Sequence, residues 1–355
     1  MAPAMTSCER VLAAINHESY DRVPLDIWAT PEVWVKLRDH FGPDADIGKA
    51  LHIDGFAGIG PRYIGPPAAP VPDGESVDFW GIRRRNIDYG TGVYSEIYHW
   101  PLAFAKTIDD LDRYQWPSAD WFDYSQMEAD AKALGREKAI QCGYMAIFYH
   151  HNMLRGLEAS LVDPLLEPEF TKELLRRLGE FFYQHHLRMF EAAGRHIDVC
   201  QVTDDFGTQT GPMIGMGVFR EFYRPHMQRF IDLCRSFDIK VMHHDDGGIR
   251  PFIPDLVEMG IDILNPIQWK CPGMDREELK REFGGKLCFH GGVENQEILP
   301  FGTEEDVRAE VRRNIDLLAS DGTGYILCSC HCIQPVTPVG NIIAMYDEAW
   351  KYGKR

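Results

Sequence analysis

The 355-residue chain lacks the features that define several large classes of protein. It contains no run of about 18 consecutive apolar residues, so the sequence predicts no membrane-spanning helix. Positive charge is scarce, because 37 Lys and Arg are outnumbered by 54 Asp and Glu, which gives a formal net charge of −17. Nucleic acids and anionic membrane surfaces favour clustered cations. We therefore expect neither of them to be a partner.

The cysteines do not indicate a disulfide framework. Nine cysteines are an odd number scattered over a long chain, which is typical of reduced thiols. The first residues also lack the charged segment followed by an apolar segment that marks a secretion signal. From these two observations we expect a cytoplasmic protein.

The second half of the chain alternates between short apolar runs and amphipathic stretches. The runs predict buried parallel strands at 198–203, 240–243, 263–266, 286–290 and 324–328. The stretches between them predict helices at 217–237, 249–259, 274–283 and 303–319. The last helix begins with Thr303-Glu-Glu-Asp306, which is similar to a capping box. This order of elements, with right-handed crossovers, produces a parallel sheet.

The first half is less regular but supplies candidates for the first three strands, at 23–28, 55–59 and 139–143. Residues 77–105 alternate aromatic and polar side chains around Tyr89-Gly-Thr-Gly92, which predicts a β-hairpin insertion. A lid, an arm of a homodimer and a decoration are open interpretations of this insertion. The sequence therefore predicts a single (β/α)8 TIM-barrel domain over residues 1–355 that carries the insertion.

Polar side chains follow five consecutive predicted strands at their carboxyl ends. The segments are 204–205, 243–246, 265–268, 290–294 and 328–332. In a TIM barrel these strand ends converge on one mouth, where the active site lies. We therefore expect the catalytic apparatus on these five loops.

The strand at 240–243, which is the fifth predicted strand of the barrel, leads into a candidate metal site. Alternate residues of a strand share a face, so His244 and Asp246 point together while His243 and Asp245 point away. An imidazole and a carboxylate suit zinc or iron but need a third donor. The donors at the last strand end are Cys328, Cys330, His331 and Cys332. The alternative is that the His-Asp pair only hydrogen-bonds within a polar mouth.

Several segments along the chain carry a family resemblance. They are Glu9-Arg-Val-Leu-Ala-Ala-Ile-Asn-His-Glu18, Asp21-Arg-Val-Pro24, Leu154-Arg-Gly-Leu-Glu158, Asp204-Asp-Phe-Gly-Thr-Gln209, Arg224-Pro-His226, Asp262-Ile-Leu-Asn-Pro266 and Thr337-Pro338. Together they resemble the uroporphyrinogen decarboxylase-like superfamily over nearly the whole chain. Within it, the chain looks like the branch of corrinoid-dependent methyltransferases and O-demethylases. The resemblance implies a TIM barrel, in agreement with the strand pattern.

The sequence departs from the superfamily at two places. Porphyrinogen decarboxylases hold substrate carboxylates with an arginine-rich motif, but residues 24–30 of this chain contain no arginine. Methyltransferases of the branch bind zinc through His-x-Cys and a later Cys, whereas this chain has His244 and Asp246, and His331 counted back from Thr337-Pro338. The implied ligands are therefore His244, Asp246 and His331, with Cys330 as a competing third donor. They favour zinc, with Fe(II) and Mn(II) more plausible than in a thiolate site.

The resemblance implies transfer of a methyl group from a small methoxylated or methylated compound to a corrinoid on a separate protein. We expect three residues to act in catalysis by orienting substrate or delivering a proton: Asp205, His290 and Glu294. We expect five residues to bind substrate: Trp28, Tyr144, Phe148, Asn265 and Gln268. The alternatives are a decarboxylase or lyase that acts on a small carboxylate, and a non-catalytic barrel that binds a ligand.

Overall fold

The computed structural model describes residues 4–355. The strands are β1 (Phe56–Gly58), β2 (Arg62–Tyr63), β3 (Glu75–Val77), β4 (Arg83–Asp88), β5 (Val93–His99), β6 (Phe122–Asp123), β7 (Ala139–Ala146), β8 (Val199–Thr203), β9 (Gly207–Thr208), β10 (Gly211–Pro212), β11 (Lys240–His244), β12 (Ile263–Asn265), β13 (Cys288–His290) and β14 (Tyr325–Ile326). The helices are α1 (Ser7–Ile15), α2 (Pro31–Phe41), α3 (Ile47–Ala50), α4 (Ile108–Arg113), α5 (Met127–Leu134), α6 (Ile147–Arg155), α7 (Leu157–Leu166), α8 (Pro168–Ala193), α9 (Met216–Val218), α10 (Arg224–Ser236), α11 (Ile253–Met259), α12 (Arg276–Phe283), α13 (Ile298–Phe301), α14 (Glu304–Leu318) and α15 (Val339–Tyr352).

Parallel strands form the barrel, in the order β1, β7, β8, β11, β12, β13, β14. Residues 23–29 close the ring between the two edge strands. Leu25 forms a parallel bridge with Leu327, just beyond β14. On its other side, the Leu25 carbonyl accepts a hydrogen bond of 3.0 Å from the backbone N–H of Gly55, which precedes β1. The predicted TIM-barrel fold is thereby confirmed.

The strand register decides which side chains face the barrel axis. Met242 pairs with Ile263, and His244 pairs with Asn265 two residues later, so both pairs lie on the same side of the sheet. His243, between Met242 and His244, is fully buried on the opposite side, where its Nδ1 donates to the Val202 carbonyl. One cluster of buried apolar side chains includes residues from α1 to α15.

The predicted elements of the second half are present with shifted ends. The predicted capping box is confirmed, because the side chains of Thr303 and Asp306 cap the first turn of α14 reciprocally. The helix predicted from 249 begins at Ile253 instead, because Pro254 has no N–H group and suits the first helical turn. The helix predicted over 217–237 is interrupted by a π-helical turn at Phe219–Tyr223.

The insertion has one strand more than the predicted hairpin. β3, β4 and β5 form an antiparallel sheet, with Tyr89-Gly-Thr-Gly92 at the turn between β4 and β5. The tip reaches the first turn of α2, where the Val93 N–H donates to Glu32 Oε1 at 3.2 Å. Because α2 follows the carboxyl end of residues 23–29, the insertion lies beside the barrel mouth.

Within residues 4–355, each helix is too short or too polar to cross the apolar interior of a membrane.

A buried ion network anchors the segment that closes the barrel. The Asp54 carboxylate is fully buried and accepts hydrogen bonds from Arg10 Nη1 at 2.6 Å and Arg22 Nη1 at 2.7 Å. It also accepts a bond from the backbone N–H of Leu25 at 2.9 Å. One carboxylate thus joins α1, the closing segment and the chain that leads into β1.

We predict that Asp54→Ala lowers the free energy of unfolding by about 3–5 kcal/mol, because it leaves the buried Arg22 without its carboxylate partner and Arg10 with Asp21 alone. Urea denaturation followed by circular dichroism measures the change. Asp120→Ala is the matched control, since Asp120 forms an exposed ion pair with Arg188 that contributes little. Equal stability of the two variants would show that the Asp54 network does not hold the barrel closed.

Candidate functional site

Three side chains from two strand ends form a compact set of metal-binding atoms. The nitrogen and oxygen atoms of His244, Asp246 and His331 all lie within 4.8 Å of one another. His331 Nε2 is 3.3 Å from Asp246 Oδ2, and His244 Nε2 is 3.8 Å from the same oxygen. All three residues are partly exposed, so the set faces the solvent at the barrel mouth. We call these three residues the donor set.

Asp246 has an oxygen whose bonding capacity is not satisfied by the protein. Among the described residues, its buried Oδ1 has no hydrogen-bond partner. Burial raises the pKa of this carboxyl, against the opposing effect of His244 and His331. A buried carboxylate oxygen without a partner is costly. A cation in the donor set would remove that cost.

Asp205 lies at the rim of the donor set. Its Oδ1 accepts a hydrogen bond of 3.3 Å from the Asp246 N–H and is 3.9 Å from His244 Nε2. Its side chain is 42% exposed. A carboxylate in this position can exchange a proton with a ligand at the mouth.

A chain of hydrogen bonds leads from His244 into the barrel interior. His244 Nδ1 is 2.5 Å from Asn265 Oδ1, Asn265 Nδ2 is 2.6 Å from His290 Nδ1, and His290 Nε2 is 2.9 Å from Asp26 Oδ2. We call these four residues the relay. Asn265, His290 and Asp26 are all buried, so the relay is shielded from water.

The relay assigns the proton on each imidazole ring. Despite its burial, the pKa of Asp26 is lowered by its bond to His290, so its carboxylate accepts and His290 Nε2 carries the proton. His290 Nδ1 then accepts from the amide nitrogen of Asn265, whose oxygen accepts from His244 Nδ1. His244 Nε2 is left with a lone pair that faces the donor set. Such a buried partner fixes the orientation and basicity of a metal ligand.

Asp26 is a residue that the sequence reasoning missed. It lies in the run predicted as the first strand, two residues before Trp28, so the two side chains share the face toward the barrel axis. Trp28 Nε1 donates to Asp26 Oδ2 at 3.1 Å, and the Trp28 ring centroid is 5.3 Å from that of His244. An acidic residue within an otherwise apolar barrel strand was the signal available in the sequence.

A match to a known family accompanies this geometry. The model of the family described as Uroporphyrinogen decarboxylase (URO-D) matches residues 129–352, which is more than half of the chain. This chain belongs to the uroporphyrinogen decarboxylase family. The match confirms the superfamily resemblance that the sequence motifs indicated.

Solved structures with similar folds include a methyltransferase from Methanosarcina mazei, with a TM-score of 0.66 and 17% identity over 98% of this chain and 99% of that chain. At this identity, the likeness shows the fold alone. Xylanase B from Clostridium stercorarium F9 gives a TM-score of 0.37 with 14% identity over 65% of this chain and 76% of that chain. D-psicose 3-epimerase gives 0.34 with 10% identity over 64% and 81%. The last two likenesses support no conclusion. No curated protein shows a significant sequence match.

In this family member, His331 and not Cys330 lies in the donor set. Cys330 is 3% exposed, and its Sγ donates to the Ile267 carbonyl at 3.2 Å. Cys328 lies deeper, in a second group whose ligand atoms come within 4.8 Å of one another, beside Asp26 and His290. Burial raises the pKa of both thiols well above its ordinary value, which keeps them protonated.

Two of the residues predicted to be catalytic have other contacts. The Glu294 carboxylate accepts backbone hydrogen bonds at the start of α13, from Gln296 at 2.8 Å and Ile298 at 2.7 Å. These bonds hold the turn that leads into α13. His290 is fully buried and reaches the donor set through Asn265. Of the three predicted residues, Asp205 is the one whose side chain lies beside the donor set.

The five predicted substrate-binding residues lie in different surroundings. Trp28 lies against His244, whereas Asn265 belongs to the relay. Gln268 Oε1 accepts from the Gly247 N–H at 2.6 Å and so positions the loop after Asp246. Phe148 is fully buried in the core, stacked on Phe206, because its aromatic side chain turns away from the mouth. Tyr144 is 42% exposed on β7 and remains available to a ligand.

We predict that metal-free protein holds His244 as the tautomer protonated on Nδ1. Long-range proton-nitrogen NMR of the imidazole ring measures the tautomer, and Asn265→Leu should release the ring into a mixture of both forms. Gln228→Leu is the control, because Gln228 lies on α10 away from the relay. A wild-type His244 that carries its proton on Nε2 would contradict the assignment.

Proposed function

We propose that this family member is a methyltransferase that moves a methyl group from a small methoxylated or methylated compound to a corrinoid on a separate protein. The observation that carries the proposal is the donor set at the mouth of a barrel of this family. The similar fold described as a methyltransferase supports the same reaction class. We propose that a separate protein carries the corrinoid, as the resemblance implies for this branch.

The donor set fits a divalent metal ion. Two imidazoles and a carboxylate are suitable ligands for zinc, and Fe(II) and Mn(II) accept the same set. The unpartnered Oδ1 of Asp246 and the lone pair on His244 Nε2 are the features that an ion would satisfy. We propose zinc as the resident ion. A bound divalent ion supplies Lewis acidity that stabilises negative charge on the oxygen from which the methyl group departs.

The residues around the donor set then have separate tasks. Asp205 lies beside the donor set, where its carboxyl group can pass a proton to the departing oxygen. Trp28 forms an apolar wall beside His244, which excludes water from the reacting group. Asn265 keeps the His244 ring in one orientation. Each of these tasks follows from a contact that the side chain already makes.

The lining of the mouth argues against the alternative of a decarboxylase that acts on a small carboxylate. Residues 24–30 supply no arginine that could pair with a substrate carboxylate. The carboxyl groups of Asp205 and Asp246 lie beside His244 instead. The mouth therefore offers a carboxylate substrate no arginine partner from this segment.

We predict that the purified protein binds one zinc ion per chain and that His244→Ala, Asp246→Ala and His331→Ala each abolish this binding. The ligands are partly exposed at strand ends, so their loss opens no cavity in the core and the barrel stays folded. Elemental analysis gives the stoichiometry, and zinc titration by calorimetry gives the affinity.

Cys330→Ala is the matched control for the metal prediction and should retain the ion, because its thiol bonds to the Ile267 carbonyl. Loss of zinc in Cys330→Ala with retention in His331→Ala would assign the third ligand to the thiol. A wild-type protein that binds no divalent ion on titration would overturn the metal site itself.

We predict that the protein demethylates a methoxylated compound when a reduced corrinoid protein is supplied, and that it does not do so without one. The appearance of methylcobalt absorbance together with the demethylated product measures the reaction. Asp205→Asn should lower the rate by about 100-fold, within the usual contribution of a general acid. Equal turnover without corrinoid, or release of carbon dioxide, would favour the lyase alternative.

A further inference from the structure

A cavity of about 400 Å³ lies between the carboxyl end of β7 and helix α8. Its lining includes Gln141, Tyr144 and Gln201 from the barrel strands and His150, Phe182 and His185 from α6 and α8. The volume is within the range of small-molecule sites, about 300–1,000 Å³. The donor set is not part of this lining.

A bulge in β7 forms part of the cavity wall. The register between β7 and β8 shifts between Gln141 and Tyr144, and Gly143 within the bulge has a φ of 93°. A Cβ atom at Gly143 would come within 2.7 Å of the His186 ring, so the position requires glycine. Gln201 contacts Met242, which precedes His244 by two residues on the same face. The cavity therefore adjoins the barrel axis one residue layer below the donor set.

The walls of the cavity are aromatic. The rings of Trp80, Phe122, Phe181 and Phe182 line it together with Tyr144. Trp80 and Phe181 meet edge to face with their centroids 4.9 Å apart. Phe122 and Phe181 lie 6.4 Å apart. A flat aromatic ring is the ligand shape that such walls contact best, by stacking and edge contacts.

Two neutral histidines provide the polar atoms of the cavity. Burial lowers the pKa of His150 and of His185 to about 4, so both rings are uncharged at neutral pH. His150 Nδ1 donates to the Ala146 carbonyl at 2.8 Å, which leaves its Nε2 as an acceptor. The Tyr124 hydroxyl donates to the Ala119 carbonyl, so His185 Nδ1 donates to Tyr124 and its Nε2 is also an acceptor.

These acceptors are free to bind a hydroxyl group. Within residues 4–355, neither Nε2 atom has a hydrogen-bond partner, and the Gln141 and Gln201 amides line the same space. The nearby cation Arg84 is held by Asp78 at 2.7 Å, which leaves it ill placed to stabilise an anion. The cavity thus favours an uncharged ring that donates a hydrogen bond.

We propose that this cavity binds an uncharged single-ring phenol, held between aromatic walls and hydrogen-bonded through its hydroxyl to His150 or His185. In combination with the proposed methyl transfer, on which this step rests, the methyl donor is a methoxylated phenol. Tyr144 lines the cavity from β7 and is itself exposed to solvent.

The test compares 4-methoxyphenol with anisole, which has the same ring and methoxy group but no hydroxyl. Calorimetric titration of metal-loaded wild-type protein at neutral pH should show tighter binding of 4-methoxyphenol. His150→Phe keeps an aromatic ring but removes the acceptor, so it should weaken 4-methoxyphenol binding about tenfold and leave anisole binding unchanged. His185→Phe tests the second acceptor in the same way.

Ile59→Phe is a second variant that does not depend on the histidines, because Ile59 lines the cavity and a larger side chain there reduces its volume. It should weaken binding of both ligands. His40→Phe, at an exposed position on α2, is the matched control and should change neither affinity. The anion 4-methoxybenzoate should bind far more weakly than 4-methoxyphenol.

Failure of this proposal is distinguishable from failure of the proposed function, because binding is measured without a corrinoid protein. Absence of 4-methoxyphenol binding, or binding that His150→Phe, His185→Phe and Ile59→Phe all leave unchanged, would overturn the phenol site while methyl transfer from another donor could still be observed. Binding with this pattern of variants but without methyl transfer would retain the site and reject the reaction.

Discussion

The geometry of the barrel mouth depends on one buried carboxylate, that of Asp26, and on the hydrogen bonds that stabilise it inside the barrel. An ionised carboxylate inside a barrel is strongly disfavoured unless donors surround it. His290 and Trp28 supply those donors, and the constraint then passes through Asn265 to His244. The buried hydrogen bonds beneath the mouth therefore determine its arrangement. Because the buried charge of Asp26 requires these hydrogen bonds, the His244 ring is held in one orientation.

Much of the barrel could be predicted because its periodicity is local. The run Lys240-Val-Met-His243 is apolar and short, and the alternation after it already separates His244 and Asp246 from His243 and Asp245. The closing segment was harder, since residues 23–29 pair with the rest of the barrel through isolated bridges, not through a long ladder. The third strand of the insertion was missed because Glu75–Val77 is only three residues long.

Site residues could be predicted where their position relative to a sequence motif identifies them. They could not be predicted where their role depends on how the side chain packs. His331 was placed by counting from a motif, whereas the separation of Cys330 depends on how the loop turns its thiol toward Ile267. Glu294 and Phe148 occupy strand-end and helix-start positions that look functional in sequence, yet Glu294 accepts backbone hydrogen bonds in the turn before α13 and Phe148 lies in the core. The role of Asp26 requires three-dimensional contacts with residues near the other end of the chain.

The closure of the barrel by residues 23–29 has a consequence for folding kinetics. Leu25 pairs with Leu327, so the final seam joins segments separated by almost the entire chain. Contacts between residues so far apart in sequence carry a large loop-closure entropy cost, and they therefore form late in folding. The segment that makes this seam also carries Asp26 and Trp28. During synthesis on the ribosome, residues 23–29 emerge first but cannot pair with Leu327 until the end of the chain has been made. The relay, which includes Asp26, is therefore completed in the same step that closes the barrel.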